Sequence, residues 1–192
     1  MNIIAFNGSP RINGNTEIIL KEVVKAIEEE GQKVKLIRPS LMKFSPCIHC
    51  GGCEKTGVCI INDDMTDVYE AIKEGSRFIL ASPIFFFALS AQMKALIDRC
   101  QAFWCEKYLL KKPIHEGPYG RQGLLITVGG MSKEVGFNCG NACATAFFRT
   151  INVKSHEHIF FPSVDAAGAI KEHPTALKDV YNAAKMLILK TT

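Results

Sequence analysis

Residues 2–16 read NIIAFNGSPRINGNT. The stretch opens as an apolar strand over residues 2–6. It then breaks into a loop of small and polar residues running to Asn15. A helix is expected from Asn15 or Thr16 to about Glu30, where Gly31 stops it. A strand that hands a Gly/Ser/Asn loop to a helix N-terminus makes a site for an anion. The first N–H groups of the helix have no acceptor within it, and its dipole favours negative charge there. Ser9, Asn15 and Thr16 add side-chain donors, and Arg11 adds a fixed positive charge. The loop is therefore expected to hold a phosphate. It is not a Walker loop, since no Lys follows its second Gly, and it is not GxGxxG. An ordinary strand-to-helix turn capped by Thr16 would read the same way, so the rest of the chain has to decide.

Working outward, strand and helix alternate. Helix one carries Ile18, Ile19, Val23, Val24, Ala26 and Ile27 at near-helical spacing. A second strand is expected over residues 33–38, with Val34, Leu36 and Ile37 inward, and Pro39 ends it. Residues 40–62 show little period. A helix restarts near Met65, with Asp64 as cap and Asp67 in its first turn. A third strand follows over residues 77–82, RFILAS, a continuous apolar run suited to a central parallel position. Pro83 comes next, then the apolar run Ile84–Phe85–Phe86–Phe87 and a helix over residues 90–104. Strand four is expected over 123–128, ending in Gly129–Gly130. A helix over 141–151, strand five over 156–161 and a last helix over 175–190 complete the pattern. This is an α/β chain and a single domain over residues 1–192. The expected fold is an open, doubly wound, five-stranded parallel sheet in the flavodoxin-like order 2-1-3-4-5, with helices on both faces and right-handed crossovers. Three loops then share the carboxyl edge of the sheet: 7–15 for a phosphate, 83–89 for a flat ring, and the glycine-rich 129–140, where backbone approaches a ligand closely. A phosphorylated cofactor with a planar ring fits all three.

Composition narrows the class. The chain of 192 residues is 47% hydrophobic and 22% charged, with a net charge of +4. That balance suits a globular domain with a real core, and its basic residues are too scattered to argue for nucleic acid. No apolar run approaches the ~20 residues of a transmembrane helix. The start does not read as a signal peptide, so no membrane association and a cytoplasmic location are expected. Eight cysteines in such a compartment point to metal or redox chemistry rather than disulfides.

Four of them, Cys47, Cys50, Cys53 and Cys59, form C-x2-C-x2-C-x5-C in the loop after strand two. Three thiols at successive spacings of three let one tight loop wrap one face of a cubic cluster, and the fourth closes it. This is similar to ferredoxin-type ligation, although the last interval is longer and no Pro follows. Gly51 and Gly52 let backbone N–H groups turn toward sulfur. Structural zinc, which more often uses two separated C-x2-C pairs, and free thiols are the alternatives. Cys100, Cys105, Cys139 and Cys143 read as small buried or incidental thiols, with a redox role for Cys139 and Cys143 as the alternative, and Asp98–Arg99 reads as a structural or subunit-interface ion pair.

GSPRINGNT (8–16), SPIFFFALSAQMKALIDR (82–99) and TVGG (127–130) together resemble the NADPH-dependent FMN reductase group of flavodoxin-like proteins. The compact cysteine run followed by Asp63–Asp64–Met65 narrows the resemblance to the iron–sulfur flavoproteins of anaerobes. It covers residues 1 to about 130. The resemblance implies FMN, with its phosphate on Ser9, Arg11, Asn13, Asn15 and Thr16. It places the ring along Pro83, Ile84, Phe85 and Phe86, with Gly129 and Gly130 on the far side. It also implies a [4Fe-4S] cluster on the four cysteines and electron transfer between cluster and FMN. The implied partners are a second or fourth copy of the chain and ferredoxin or NAD(P)H as donor. The group often has Tyr where this chain has Phe85, so no hydroxyl role carries over. The other readings are a cluster-free NAD(P)H-dependent flavin or quinone reductase, and a non-enzymatic FMN or thiol/zinc redox-sensing module. No nucleophile–base pair suggests hydrolysis.

Overall fold

A computed structural model describes residues 1–189. Strands β1 (Ile3–Asn7), β2 (Val34–Ile37), β3 (Arg77–Phe85), β5 (Gln122–Val128) and β6 (His156–Phe161) pair in parallel in the order β2-β1-β3-β5-β6, and the two-residue β4 (Ala88–Leu89) pairs antiparallel with β3. The sheet thus has six strands rather than five. Its five parallel members stand in the expected flavodoxin-like order. The first residues of the inner strands lie level, Ile3 pairing both Val34 and Arg77, and Arg77 pairing Gln122. The carboxyl ends of β1, β3 and β5 therefore share one edge.

β1 is buried along its whole length because helices cover both faces. Ile3 and Ala5 pack with Ile19, Val23 and Ile27 of α1 (Asn15–Glu28) and Val180 and Leu187 of α6 (Ala176–Leu189). Ile4 and Phe6 pack on the other face with Val68 and Ile72 of α2 (Met65–Glu74), Met93 and Leu96 of α3 (Ala91–Arg99) and Phe147 of α5 (Val135–Thr150). The period of two that sends alternate residues to opposite faces is hidden in the sequence because both faces are apolar. α1 stops where Gly31 takes φ +72°. Lys190, expected to end the last helix, lies outside the described residues.

Several boundaries move, each for a physical reason. β3 runs through Pro83 to Phe85. β1 ends opposite Ala81, so β3 has outrun one neighbour before a proline removes an N–H from the ladder. β3 then turns back at once into β4. The expected helix over 90–104 breaks at Cys100 into α3 and the short α4 (Gln101–Trp104), which continues as a single π-helical turn over Cys105–Leu109. α5 starts at Val135 rather than Asn141, so Gly140 is a helical residue and not part of the loop. Its early turns carry Gly136 and Gly140, poor helix formers. Packing holds them: a Cβ on Gly136 would lie 2.4 Å from Met131 Sδ, and one on Gly140 2.8 Å from Ile84 Cδ1. Leu36, expected inward, is 41% exposed because β2 is an edge strand; it sits beside Leu20 and Val24 in a shallow surface groove.

Candidate functional site

The loop between β1 and α1 is fixed from below and open above. Gly8 N–H donates to Ala81 O at 2.8 Å, and Asn7, fully buried, accepts Ser9 N–H on its side-chain oxygen at 3.0 Å. Ser90 Oγ donates to Gly8 O and also accepts Met93 N–H, so the residue that caps α3 anchors the loop. Gly8 is required there: a Cβ would lie 3.0 Å from both Met93 Cε and Ser82 Oγ. α1 begins at Asn15 with Gly14 as its cap residue, and no side chain caps it. Its first N–H groups therefore remain available to an anion. Thr16 does not cap the helix; it lies buried in the first turn.

The expected phosphate ligands divide. Ser9 Oγ accepts Arg11 N–H at 3.1 Å and so shapes the loop. Arg11 is exposed and makes no ion pair among the described residues. Asn15 is committed elsewhere: its amide donates to Ala166 O at 2.9 Å and accepts Ile170 N–H at 3.3 Å. It pins the segment after β6 to the loop. Asn13 has φ +57°, and its N–H donates to Glu17 Oε2 at 2.7 Å.

Glu17 escaped the sequence reading. It is buried, receives Arg38 Nη2 at 2.7 Å, and stands at the third helical position, where a Glu typically reaches back over the helix start. The hydrogen bond from Arg38, with that from Asn13, holds its carboxyl down to about 2. A depressed carboxyl pKa contributes stability that is present above the unfolded value, near 4.5, and is lost as pH falls toward the folded one. Wild type should therefore lose stability between about pH 4.5 and about pH 2. Glu17→Gln should flatten that part of the curve in denaturant melts across pH. An unchanged slope would remove Glu17 from the account.

At the edge expected to face the ring, Pro83 and Ile84 are buried, whereas Phe85 is 43%, Phe86 99% and Phe87 50% exposed. Phe86 and Phe87 form the two-residue turn of the β3–β4 hairpin, both with positive φ (+47° and +63°). The chain itself crowds the glycines opposite. A Cβ on Gly130 would meet Asp165 Cβ at 2.9 Å. Gly129 N–H donates to Phe161 O, and Gly129 O accepts Val164 N–H. These glycines admit their own neighbouring loop at close range.

The second site lies below α3. Residues 42–62 hold no helix or strand beyond turns. Cys47, Cys50, Cys53 and Cys59 line one cavity with Cys105 and Arg99. Cys105 was expected to be incidental, yet its Sγ is 3.6 Å from that of Cys53. Burial, together with that contact, pushes the Cys53 thiol up to about 12. Among the described residues, no three His, Cys, Asp or Glu side chains stand close enough to hold a metal ion as they are. The free space left among them is small, about 30 Å³. A cluster would have to spread the thiols, and the irregular loop offers no ladder of hydrogen bonds to resist that. The donor chemistry fits. So does one orphaned donor: Arg99 is 1% exposed and its Nε–H has no partner among the described residues.

Arg99 does not pair with its neighbour Asp98, which instead takes Lys94 at 2.6 Å. Arg99 forks onto Asp63, Nη1 to Oδ2 at 2.7 Å and Nη2 to Oδ1 at 3.1 Å. It also donates to Ser45 O and Ile61 O. Burial raises the Asp63 carboxyl, but hydrogen bonds from Arg99, Ser45 N–H and Met65 N–H outweigh it, leaving the pKa lowered. The helix-start role expected of Asp64 belongs in part to Asp63, which accepts Met65 N–H; Asp64 accepts Lys43 N–H instead.

Comparison with known proteins gives the chain's relatives. The chain is 38% identical over 128 residues to an iron-sulfur flavoprotein of Archaeoglobus fulgidus, a match covering 67% of this chain and 62% of that one. It is 40% identical over 99 residues to an iron-sulfur flavoprotein of Methanocaldococcus jannaschii, covering 52% and 51% respectively. These matches thus span about half to two thirds of the relatives' length. The NAD(P)H:quinone oxidoreductase of Methanothermobacter marburgensis has the same fold, with a TM-score of 0.70 at 12% identity over 100% of this chain and 98% of that one. No helix among the described residues is long and apolar enough to cross a membrane. The model of the NADPH-dependent FMN reductase family matches residues 1–138, the span that carries the strand–loop–helix, the cysteine cavity and the aromatic hairpin, and the chain belongs to that family.

Proposed function

We propose that this chain is a flavin-dependent oxidoreductase that binds FMN at the carboxyl edge of the sheet and a [4Fe-4S] cluster in the cysteine cavity. The observation that carries the reading is the pairing of an uncapped α1 N-terminus with four motif thiols lining one cavity. When bound, FMN supplies one- and two-electron chemistry and the cluster supplies single-electron transfer. The residues bind and orient. The N–H groups of Asn15 and Thr16 and the guanidinium of Arg11 hold the phosphate, with Ser9 and Asn13 shaping the loop. Pro83, Ile84, Phe85 and Phe86 face the ring, with Gly129 and Gly130 across from them. Asn15 acts as a strut through Ala166. Cys47, Cys50, Cys53 and Cys59 are the iron ligands.

The names of the relatives support the cluster, and the family supports the flavin. Exposed Ile48, Val58 and Ile60 around the cysteine loop support a homodimer or homotetramer that covers them. The electron donor is ferredoxin or NAD(P)H, and a cytoplasmic site suits the reduced thiols. A second reading, favoured by the match to the NADPH-dependent FMN reductase family, is an NAD(P)H-dependent flavin or quinone reductase without a cluster.

The spectrum of protein purified without oxygen, with iron assayed on the same sample, separates the two. About four irons per chain with flavin bands support the first. Flavin without iron after anaerobic reconstitution supports the second. Arg11→Ala should weaken FMN binding about tenfold or more, the worth of one charge-assisted hydrogen bond, and leave iron content unchanged. Unchanged FMN affinity in a fluorescence titration would remove Arg11 from the phosphate site.

A further inference from the structure

We propose that Arg99 is a positioning residue for the cysteine cavity, donating its Nε–H to a sulfur of the cluster and setting how readily the cluster accepts an electron. The inference rests on the cluster reading above and deepens it. A guanidinium has five N–H donors. In Arg99 the terminal nitrogens are used: they hold Asp63 in a fork and reach Ser45 O and Ile61 O. Among the described residues only Nε–H finds no partner, in a side chain 1% exposed that lines the same cavity as the four motif thiols. An orphaned buried donor costs free energy unless an acceptor is supplied. The anchoring leaves the residue little freedom to turn away, because both ends of the cysteine loop, at Ser45 and at Ile61–Asp63, are tied to it.

Charge points the same way. Thiolates and sulfides carry negative charge into a cavity that, among the described residues, no other buried cation lines, and hydrogen bonds to sulfur are one lever on cluster potential. Arg99 lies close enough to Cys59 for their charges to interact. Asp63 neutralises much of the guanidinium, so what Arg99 brings to the sulfur is chiefly a directed N–H. A purely structural pin would need the terminal nitrogens and not Nε.

The test is a redox titration of the anaerobically reconstituted holoprotein, followed by electron paramagnetic resonance, comparing wild type with Arg99→Lys. Lys keeps a positive charge for Asp63 but has no N–H at the Nε position. Arg99→Lys should hold iron and FMN at wild-type levels. Its ratio of reduced to oxidised cluster at a fixed potential should fall about tenfold, a 59 mV shift for one electron. An unchanged ratio overturns the proposal. If Arg99→Lys loses its iron, wild type labelled with nitrogen-15 at arginine Nε carries the test: the electron spin of the reduced cluster should couple to that nitrogen, since Arg99 is the arginine lining the cavity, and no coupling overturns the proposal. If wild type itself takes up no iron, it is the cluster reading that fails, and this outcome is distinct from either.

Discussion

Replacing Cys59 with alanine is expected to strip iron and acid-labile sulfide from the reconstituted chain, from about four irons to fewer than about one, while leaving FMN bound. Cys59 is the thiol that closes the set after the three closely spaced ones, and it lies on the Tyr69 and Arg99 side of the cavity. Cys100 is also near Tyr69 and Arg99, but it is fully buried in the core and, unlike Cys59, does not line the cavity. Cys53 differs. Cys105 stands 3.6 Å from it, fully buried on the π-helical turn, close enough to take its place. Cys53→Ala should thus keep part of its iron, and the Cys53→Ala/Cys105→Ala pair should lose it. Cys139, exposed on α5, serves as the control, and Cys139→Ala should match wild type. Iron retained in Cys59→Ala would mean that the C-x2-C-x2-C-x5-C set is not the ligand set. FMN lost together with iron would mean that the loop supports the flavin edge as a structural element.

The difference between Cys59 and Cys53 illustrates which features a linear sequence carries. The strand–loop–helix at residues 2–16 was legible because local chemistry dictates it: a buried apolar run, a polar loop, and a helix start. The order of the five parallel strands followed from alternation and the rules of crossover. That the four motif cysteines share a cavity followed from their short spacing. What the sequence hid is set by distance along the chain. Cys105 meets Cys53 across an interval of 52 residues, and Arg99 meets Asp63 across 36, so neighbouring Asp98 looked like the partner. The Asn15 side chain looked like a phosphate donor because nothing nearby in sequence announces Ala166, to which its amide donates. Glu17 was the one miss with a local signal, its place at the third helical position. The early start of α5 was masked by Gly136 and Gly140, whose cost as helix residues is offset by packing against Met131 and Ile84.

The hairpin at Phe86–Phe87 leads to the second large expectation, an opposition between stability and binding. A two-residue hairpin turn with positive φ at both positions favours Asn-Gly, yet this chain places two phenylalanines there, at φ +47° and +63°. For a residue with a Cβ the left-handed region costs roughly 1–2 kcal/mol. Phe86, at 99% exposure, recovers nothing by burial within the chain, and Phe87 is still 50% exposed. Phe86→Asn with Phe87→Gly should therefore stabilise the fold by about 2 kcal/mol, read as a higher denaturant midpoint at unchanged slope. Backbone strain of this kind persists where function over-determines it. Here the proposed function is a flat apolar surface offered to the flavin ring at the carboxyl edge of β3. The same variant should bind FMN at least about tenfold more weakly, the loss of one well-packed aromatic contact. A stabilised variant with unchanged FMN affinity would release the hairpin from the flavin site and leave its exposed rings to a subunit contact. A variant no more stable than wild type would show that the turn carries no strain to relieve. The combination expected, more stable and weaker in binding, is the signature of a site whose geometry is held at the expense of the fold.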